Sequence, residues 1–296
     1  MTCTKKGTLH GRCGTTGSSH DGNLCSQTGI NLVTIDSKNE LLKKEFSRAK
    51  EYASEYHGDH PKAHLFNTRI QRVSELLGEF NNGKVLDIGC GPGIIGNTFR
   101  GKPIEYYGVD ISEEMIKVCN DTFGHDQQFR FSLGRVESLS FPDSCFDVVL
   151  CLGMFEYVQD VHLAMNDIGR VLKPNGVFIV TMLNSVSPYR IWERYIYWKI
   201  INFRSKIHRL KIKEKDREST KGSKMILYTE TVFRDLLTNV GLAIEDVVYY
   251  DFNLFIPPMD SFFPKASVFI SKKLEYMCRS KLKFLGTGFI IKCRKK

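Results

Sequence analysis

The chain has 296 residues, 42% of them hydrophobic and 25% charged, with a net charge of +9. That is enough apolar material for the core of one large domain, and it argues against a fibrous or wholly disordered protein. The nine cysteines show no C-x-x-C pairing, no apolar signal-peptide core follows Met1, and no uninterrupted apolar run reaches the roughly 18 residues of a membrane helix, so disulfide scaffolds and spanning proteins are set aside and a cytoplasmic, reducing location is expected.

Residues 1–30 are rich in Gly, Ser and Thr and almost free of apolar side chains, which reads as a disordered tail. One domain is expected over 31–296. Its N-terminal helices occupy 37–80: NELLKKEFSRAKEYASEY has apolar residues at spacings of three and four, and a second helix starts at Pro61 and runs to about Phe80. From residue 83 to 183 strands and helices alternate. KVLDIG, EYYGVD, QFRFSLG, CFDVVLCLG and GVFIVTML read as strands. SEEMIKVCND, with Ser112 as N-cap, and VHLAMNDIGRVLK, ended by Pro174-Asn175-Gly176, read as helices. Beyond 184 the rhythm breaks. Residues 184–224 are aromatic and basic. Residues 225–296 return to a helix (LYTETVFRDLLTNVG), a strand (LAIEDVVYYDF), an irregular apolar-basic stretch over 253–286 and a last strand, GFIIKCR. The fold class expected is α/β: a Rossmann-like, seven-stranded, mostly parallel sheet flanked by helices, with an N-terminal helical segment and helical insertions after the fifth and sixth strands.

Charge is unevenly placed. Residues 185–224 hold 12 Lys and Arg against 4 acids, and 265–296 hold 10 against 1. The remainder of the chain is therefore acidic, with two basic segments attached.

The stretch VLDIGCGPGIIG (85–96) carries the cofactor question. Gly91, Gly93 and Gly96 spell G-x-G-x-x-G, as in dinucleotide-binding proteins, and Asp110 lies where a ribose-binding acid would follow. Asp87, directly ahead of the glycines, would repel a pyrophosphate, and Pro92 removes an amide that a phosphate could use. An acid there suits a cationic ligand, and S-adenosylmethionine (SAM) carries an ammonium and a sulfonium.

VLDIGCGPG, GVDISEEMI, FDVVLCLGMFEYVQD and IGRVLKPNGVFIVTMLN, in that order, resemble the successive motifs of class I SAM-dependent methyltransferases, in particular the UbiE/COQ5-like, type 11 group. The resemblance covers about residues 60–184. It implies SAM as cofactor and a SAM-binding core at 83–183. Asp87, Gly89, Cys90, Gly91 and Gly93 would hold the methionine part, Asp110 the ribose, and Ile111 and Met115 would flank the adenine. Leu152 and Gly153 would line the amino group, with Phe155 and Tyr157 at the same mouth. Two positions depart from the family pattern. Arg135 stands where an acid usually accepts from the adenine amino group, so that contact comes from elsewhere or is lost, with adenine recognition left to the backbone of Val136 and to apolar packing. Glu156-Tyr157-Val158 stands where the family often has E-H-V.

Methyl transfer needs alignment more than acid-base chemistry, so a base is required only for a protonated nucleophile. Candidate bases are His57, His60, His64 and Tyr157; no metal site is expected. Arg69 and Arg72 are expected on the surface, with contact to the cofactor carboxylate as the alternative. Residues 184–224, after the fifth strand, are placed where such enzymes carry a substrate cover. Within them SPYRIWERYIYWKIINFRSKIHRLKIK (187–213) holds both tryptophans, Trp192 and Trp198, among basic residues. Trp192 and Tyr157 are candidate acceptor contacts, and the same segment suits peripheral contact with a membrane surface. Nucleic acid is not expected as a partner. The function expected is methyl transfer from SAM to an O or N atom of a hydrophobic or lipid-like small molecule. A catalytically silent SAM-fold binding protein and an NAD-dependent oxidoreductase are the rival readings.

Overall fold

A computed structural model describes residues 48–197, 199–200 and 226–296. The tail at 1–30, the start of the first expected helix, Trp198 and the whole of the basic segment beyond residue 200 lie outside the described residues.

Helix α1 (Ala49–Ser54) and α2 (Pro61–Leu77) precede the sheet. His60 caps α2, its Nδ1 accepting from Ala63 N at 3.2 Å, and the helix stops at Gly78, short of the expected Phe80. The strands are β1 (Gly83–Ile88), β2 (Ile104–Asp110), β3 (Phe129–Leu133), β4 (Phe146–Leu152), β5 (Leu172–Leu183), β6 (Leu242–Tyr250) and β7 (Gly288–Lys295). Between them run α3 (Glu113–Phe123), α4 (Val161–Val171), α5 (Pro188–Trp192), α6 (Glu230–Asn239), α7 (Met259–Phe262) and α8 (Pro264–Leu274). Ser112 caps α3 as expected, accepting from Met115 N.

The sheet has seven strands in the order β3-β2-β1-β4-β5-β7-β6. β1 to β5 pair in parallel, and β7 runs antiparallel between β5 and β6. β1 and β4 are buried on both faces, as their Val, Leu and Ile content requires. Pro174-Asn175-Gly176, expected to end a helix, lies inside β5. α4 has already stopped at Val171, and the turn with Asn175 in the left-handed region is absorbed as a register shift against β4. β1 has β2 on one side and β4 on the other, so strand order reverses at β1. Ligands of open α/β sheets bind outside the strand C-termini at that point.

Candidate functional site

Two adjoining clefts open there. The first encloses about 1040 Å³ at the ends of β1, β2 and β4. Gly89 N and Cys90 N both donate to Val109 O, which ties the loop after β1 to β2. Gly91 lies in the left-handed region at φ +52, and a Cβ there would point into the cleft, meeting only the Tyr52 ring at 3.9 Å. Asp110 braces the loop from the next strand: its Oδ2 accepts from Gly91 N at 2.8 Å and its Oδ1 from Ser112 N at 2.9 Å.

Asp87 lies at the floor. Its Oδ2 accepts from Tyr106 OH at 2.5 Å, while the buried Oδ1 has no hydrogen-bond partner among the described residues. Burial pushes its pKa up to about 7, with the Tyr106 hydrogen bond acting the other way. A buried carboxylate oxygen left open is costly unless a donor reaches it. An ammonium group would meet that need.

Asp87, Gly89, Cys90, Gly91, Asp110, Ile111, Met115, Val136, Leu152 and Gly153 all line this cleft. Gly93 does not. A Cβ on it would press on Cys119 and Phe123 at 3.1 Å, so it serves the turn and its packing. The segment after it is a six-residue 3-10 turn, Ile94–Phe99, so no α-helix N-terminus faces the loop as a pyrophosphate would require. At the far end Arg135 also lines the cleft, but so does Glu137, brought back by the turn in which Ser138 N donates to Arg135 O. Glu137 supplies a carboxylate two residues from where the resemblance expects one, 3.7 Å from Arg135 Nε.

The N-terminal segment covers the cleft with different residues from those expected. Tyr52 and Tyr56 line it. His57 is exposed and touches neither cleft. His64 is buried on the core side of α2, between Thr68 and Glu275. Arg69, expected on the surface, is buried: its Nη2 donates to Tyr56 OH at 3.3 Å, and its Nη1 packs against Gly153, where a Cβ would come within 2.2 Å. Burial acts to lower its pKa, but surrounding Tyr56, Tyr250, Tyr52 and Glu156 raise it on balance, so the guanidinium is charged. Arg72 instead pins α2 to Glu275.

The second cleft lies between α1–α2, the α5 region and the loop after β6. Tyr52, Arg69, Gly153 and Tyr157 line both clefts, so the two communicate. Glu156 is 2% exposed; its Oε1 accepts from Leu183 N at 2.8 Å, and its Oε2 has no partner among the described residues. Burial raises its pKa. Asp251 also lines this cleft with an unpartnered Oδ1. It sits at φ +59, held by Thr287, whose hydroxyl and N–H donate to it, and by its own N–H donating to Glu275. Burial pushes its pKa up to about 6. Arg190, bonded to Glu193 at 2.8 Å, faces them.

Two expected contacts lie elsewhere. Trp192 lines neither cleft; its Nε1 donates to Pro257 O at 2.8 Å and fastens α5 to the loop after β6. Its neighbours Tyr189, Arg190 and Glu193 line the second cleft in its place. Phe155 is fully buried against Phe233 rather than at the mouth.

Residues 86–180 match the family model described as a methyltransferase domain. Methyltransferase YcgJ of Bacillus subtilis is 37% identical over 100 residues, 33% of this chain and 39% of that protein. A ubiquinone biosynthesis O-methyltransferase of Bartonella tribocorum is 32% identical over 148 residues, 45% of this chain and 57% of that protein. The chain thus spans about half the length of the curated relatives it matches. Among solved structures, a SAM-dependent methyltransferase of Thermotoga maritima, described as a possible histamine N-methyltransferase, covers 85% of this chain and 98% of its own with a TM-score of 0.53 at 20% identity, a likeness of fold. The matched core, the seven-stranded sheet and the cleft at its switch point agree: residues 86–180 form a methyltransferase domain of the class I SAM-dependent type.

Proposed function

We propose that the protein transfers the methyl group of SAM to an oxygen or nitrogen atom of a small molecule held in the second cleft. The observation that carries this reading is the junction of the two clefts at Tyr52, Arg69, Gly153 and Tyr157. SAM would supply an electrophilic methyl group on a sulfonium. Asp87 would hold its ammonium, Asp110 its ribose, and Ile111, Met115 and Val136 its adenine. Glu137 offers the acceptor that Arg135 cannot, which weakens the case for a silent binding protein. Tyr52 and Tyr56 exclude water from above.

On the acceptor side, the reactive end faces charge rather than hydrocarbon. The open carboxylate oxygens of Glu156 and Asp251 suit an N–H or O–H donor, and a raised pKa makes each a better proton acceptor than an ordinary carboxylate. In this reading one of them takes the proton that the attacking atom releases, a role the sequence suggests for His57, His60, His64 or Tyr157, of which His60 and Tyr157 also line the second cleft. The lipid-like half of the expectation rests on other surfaces: Leu65 and Phe66 on the cleft wall, and exposed Ile191, Tyr195 and Ile196 around α5. The acceptor is thus amphiphilic, with a polar reacting end.

Calorimetric titration tests the cofactor half. SAM should bind and NAD should not, and Asp110→Ala should weaken SAM by about 1–3 kcal/mol. NAD binding, or Asp110→Ala with unchanged SAM affinity, sinks the assignment. Mass spectrometry of a cell extract incubated with protein and methyl-labelled SAM tests the transfer. Labelled O- or N-methyl products support it, and SAM binding with no labelled product favours the silent binding protein.

A further inference from the structure

Helix α8 is built inside out. Its buried positions are Ser267, Val268 and Ser271, and the hydroxyls of both serines lack a hydrogen-bond partner among the described residues. Its outward positions are Lys265, Ala266, Phe269, Lys272 and Lys273, spaced i, i+1, i+4, i+7 and i+8, which is a single helical face. Phe269 is 63% exposed. Phe262 and Phe263, just ahead of the helix, are 72% and 58% exposed, and Tyr276, just after it, is 78% exposed. Folding in water alone gives no reason to bury serine and expose four aromatic rings within fifteen residues.

Lysines are interleaved with the rings. Lys273 Nζ lies 5.6 Å from the centre of the Phe269 ring. The two acids of this region turn inward: Asp260 accepts from Tyr189 OH, and Glu275 from Arg72 and Asp251 N. The acid bridged from the outward face is Asp59, 4.0 Å from Lys272. A protein partner would ask for a shaped apolar groove or paired charges. This face is a single convex helix with aromatic tips and one sign of charge, the chemistry of an anionic lipid surface.

The face also has an address. Asp260 and Ser261, immediately ahead of Phe262, line the second cleft. Tyr189 and Trp192 bind this loop to the α5 region, which exposes Ile191, Tyr195, Ile196 and Ile200. We propose that the outward face of α8, with Phe262, Phe263 and Tyr276 at its ends, docks on an anionic bilayer at the edge of the second cleft, so that an amphiphilic acceptor enters from the membrane. The docking does not depend on the methyl-transfer reading, because it is measured without turnover.

Co-sedimentation of the full chain with vesicles tests it. Binding should be strong with phosphatidylcholine-phosphatidylserine vesicles, weak with phosphatidylcholine alone, and weaker as salt rises. Replacing Lys265, Lys272 and Lys273 by Gln should lower the partition coefficient at low salt, on the order of a hundredfold. Phe262→Ser with Phe269→Ser should lower it about tenfold or more, whereas Leu163→Ser, an exposed apolar residue on α4, should change nothing. All variants should keep SAM affinity and the far-ultraviolet spectrum of the parent. The proposal is overturned by absent binding, by equal binding to neutral vesicles, or by α8 variants that bind as the parent does. It is overturned equally if only Arg204, Lys206 and Arg209→Gln releases the protein, which would give the contact to 187–213. Loss of self-association rather than of vesicle binding in the Phe variant would make the face a contact between copies of the chain.

Discussion

The two clefts meet at four residues but are built in different ways. The first is made of strand ends and tight turns: Asp110 is held by two backbone amides, and Asp87 by a tyrosine from the adjacent strand that leaves one of its oxygens open. The second is made of long side chains from segments far apart in the chain, and it leaves Glu156, Asp251, Arg69 and Arg190 each with a buried atom lacking a partner among the described residues. A ligand of fixed shape can be held by backbone geometry, which few substitutions disturb. An acceptor is selected by side chains, which a protein can change one at a time without rebuilding its sheet.

That contrast can be broken by substitutions meant to strike one half. The largest effect is expected from Gly91→Val. A β-branched residue at φ +52 carries strain of about 1–3 kcal/mol, and its methyls would enter the first cleft. SAM affinity should fall about a hundredfold or more, followed by calorimetry with a melting curve as the check on folding. Normal affinity in a folded variant would mean that the loop does not face the cofactor.

Glu156→Gln should strike the other half. SAM affinity should stay at the parent value, while turnover falls on the order of a hundredfold if Glu156 is the proton acceptor. Equal loss in both measurements would show that the two clefts are one site energetically.

A smaller effect separates the halves by pH. Asp87 titrates at about 7 because it is buried, and an ammonium ligand needs it ionised. SAM affinity should therefore rise from about pH 6 to about pH 7, by up to roughly tenfold, and Asp87→Asn should flatten that slope. For the ligand-free chain the sign is opposite. The raised pKa favours the folded state while Asp87 is protonated; that contribution is complete below the ordinary value of 3.8 and is lost as pH rises through about 7. Melting temperature against pH, with and without SAM, reads both trends.

The smallest effect is expected from Trp192→Phe, which removes one hydrogen bond to Pro257 O and costs about 1 kcal/mol of stability. Turnover should change little. A large loss of turnover at unchanged stability would return Trp192 to the wall of the acceptor cleft.

The same contrast explains what was legible in the sequence. Most of the first cleft is encoded in short local runs, at 87–91, 110–115 and 152–153, and the resemblance of those runs to a known set of motifs is what brings their residues together. The alternation of strands likewise announces the sheet. The second cleft joins residues near 52–69, 156, 183–193 and 250–261, and no local pattern records that meeting. Some of it could still have been read. Phe66, Arg69, Val73 and Leu76 form the buried stripe of α2 at spacings of three and four, so Arg69 lies on a core-facing line. His57 and His64 drew attention by type alone, while His60 was the N-cap that Pro61 at the first turn of a helix implies. Glu137 was hidden because a turn, rather than a strand, brings it beside Arg135.

Strand order also governs how the molecule is made. β7 follows β6 in the chain but lies between β5 and β6 in space. As the chain leaves the ribosome, β1 to β5 can pair in succession. β6 can only wait, with its hydrogen-bonding groups uncommitted, until residues 288–295 emerge and slide in beside β5. During that interval the nascent sheet ends at β5, with an exposed edge open to other chains. The outer half of the sheet is thus a late event of synthesis, and so is the loop after β6 that completes the second cleft.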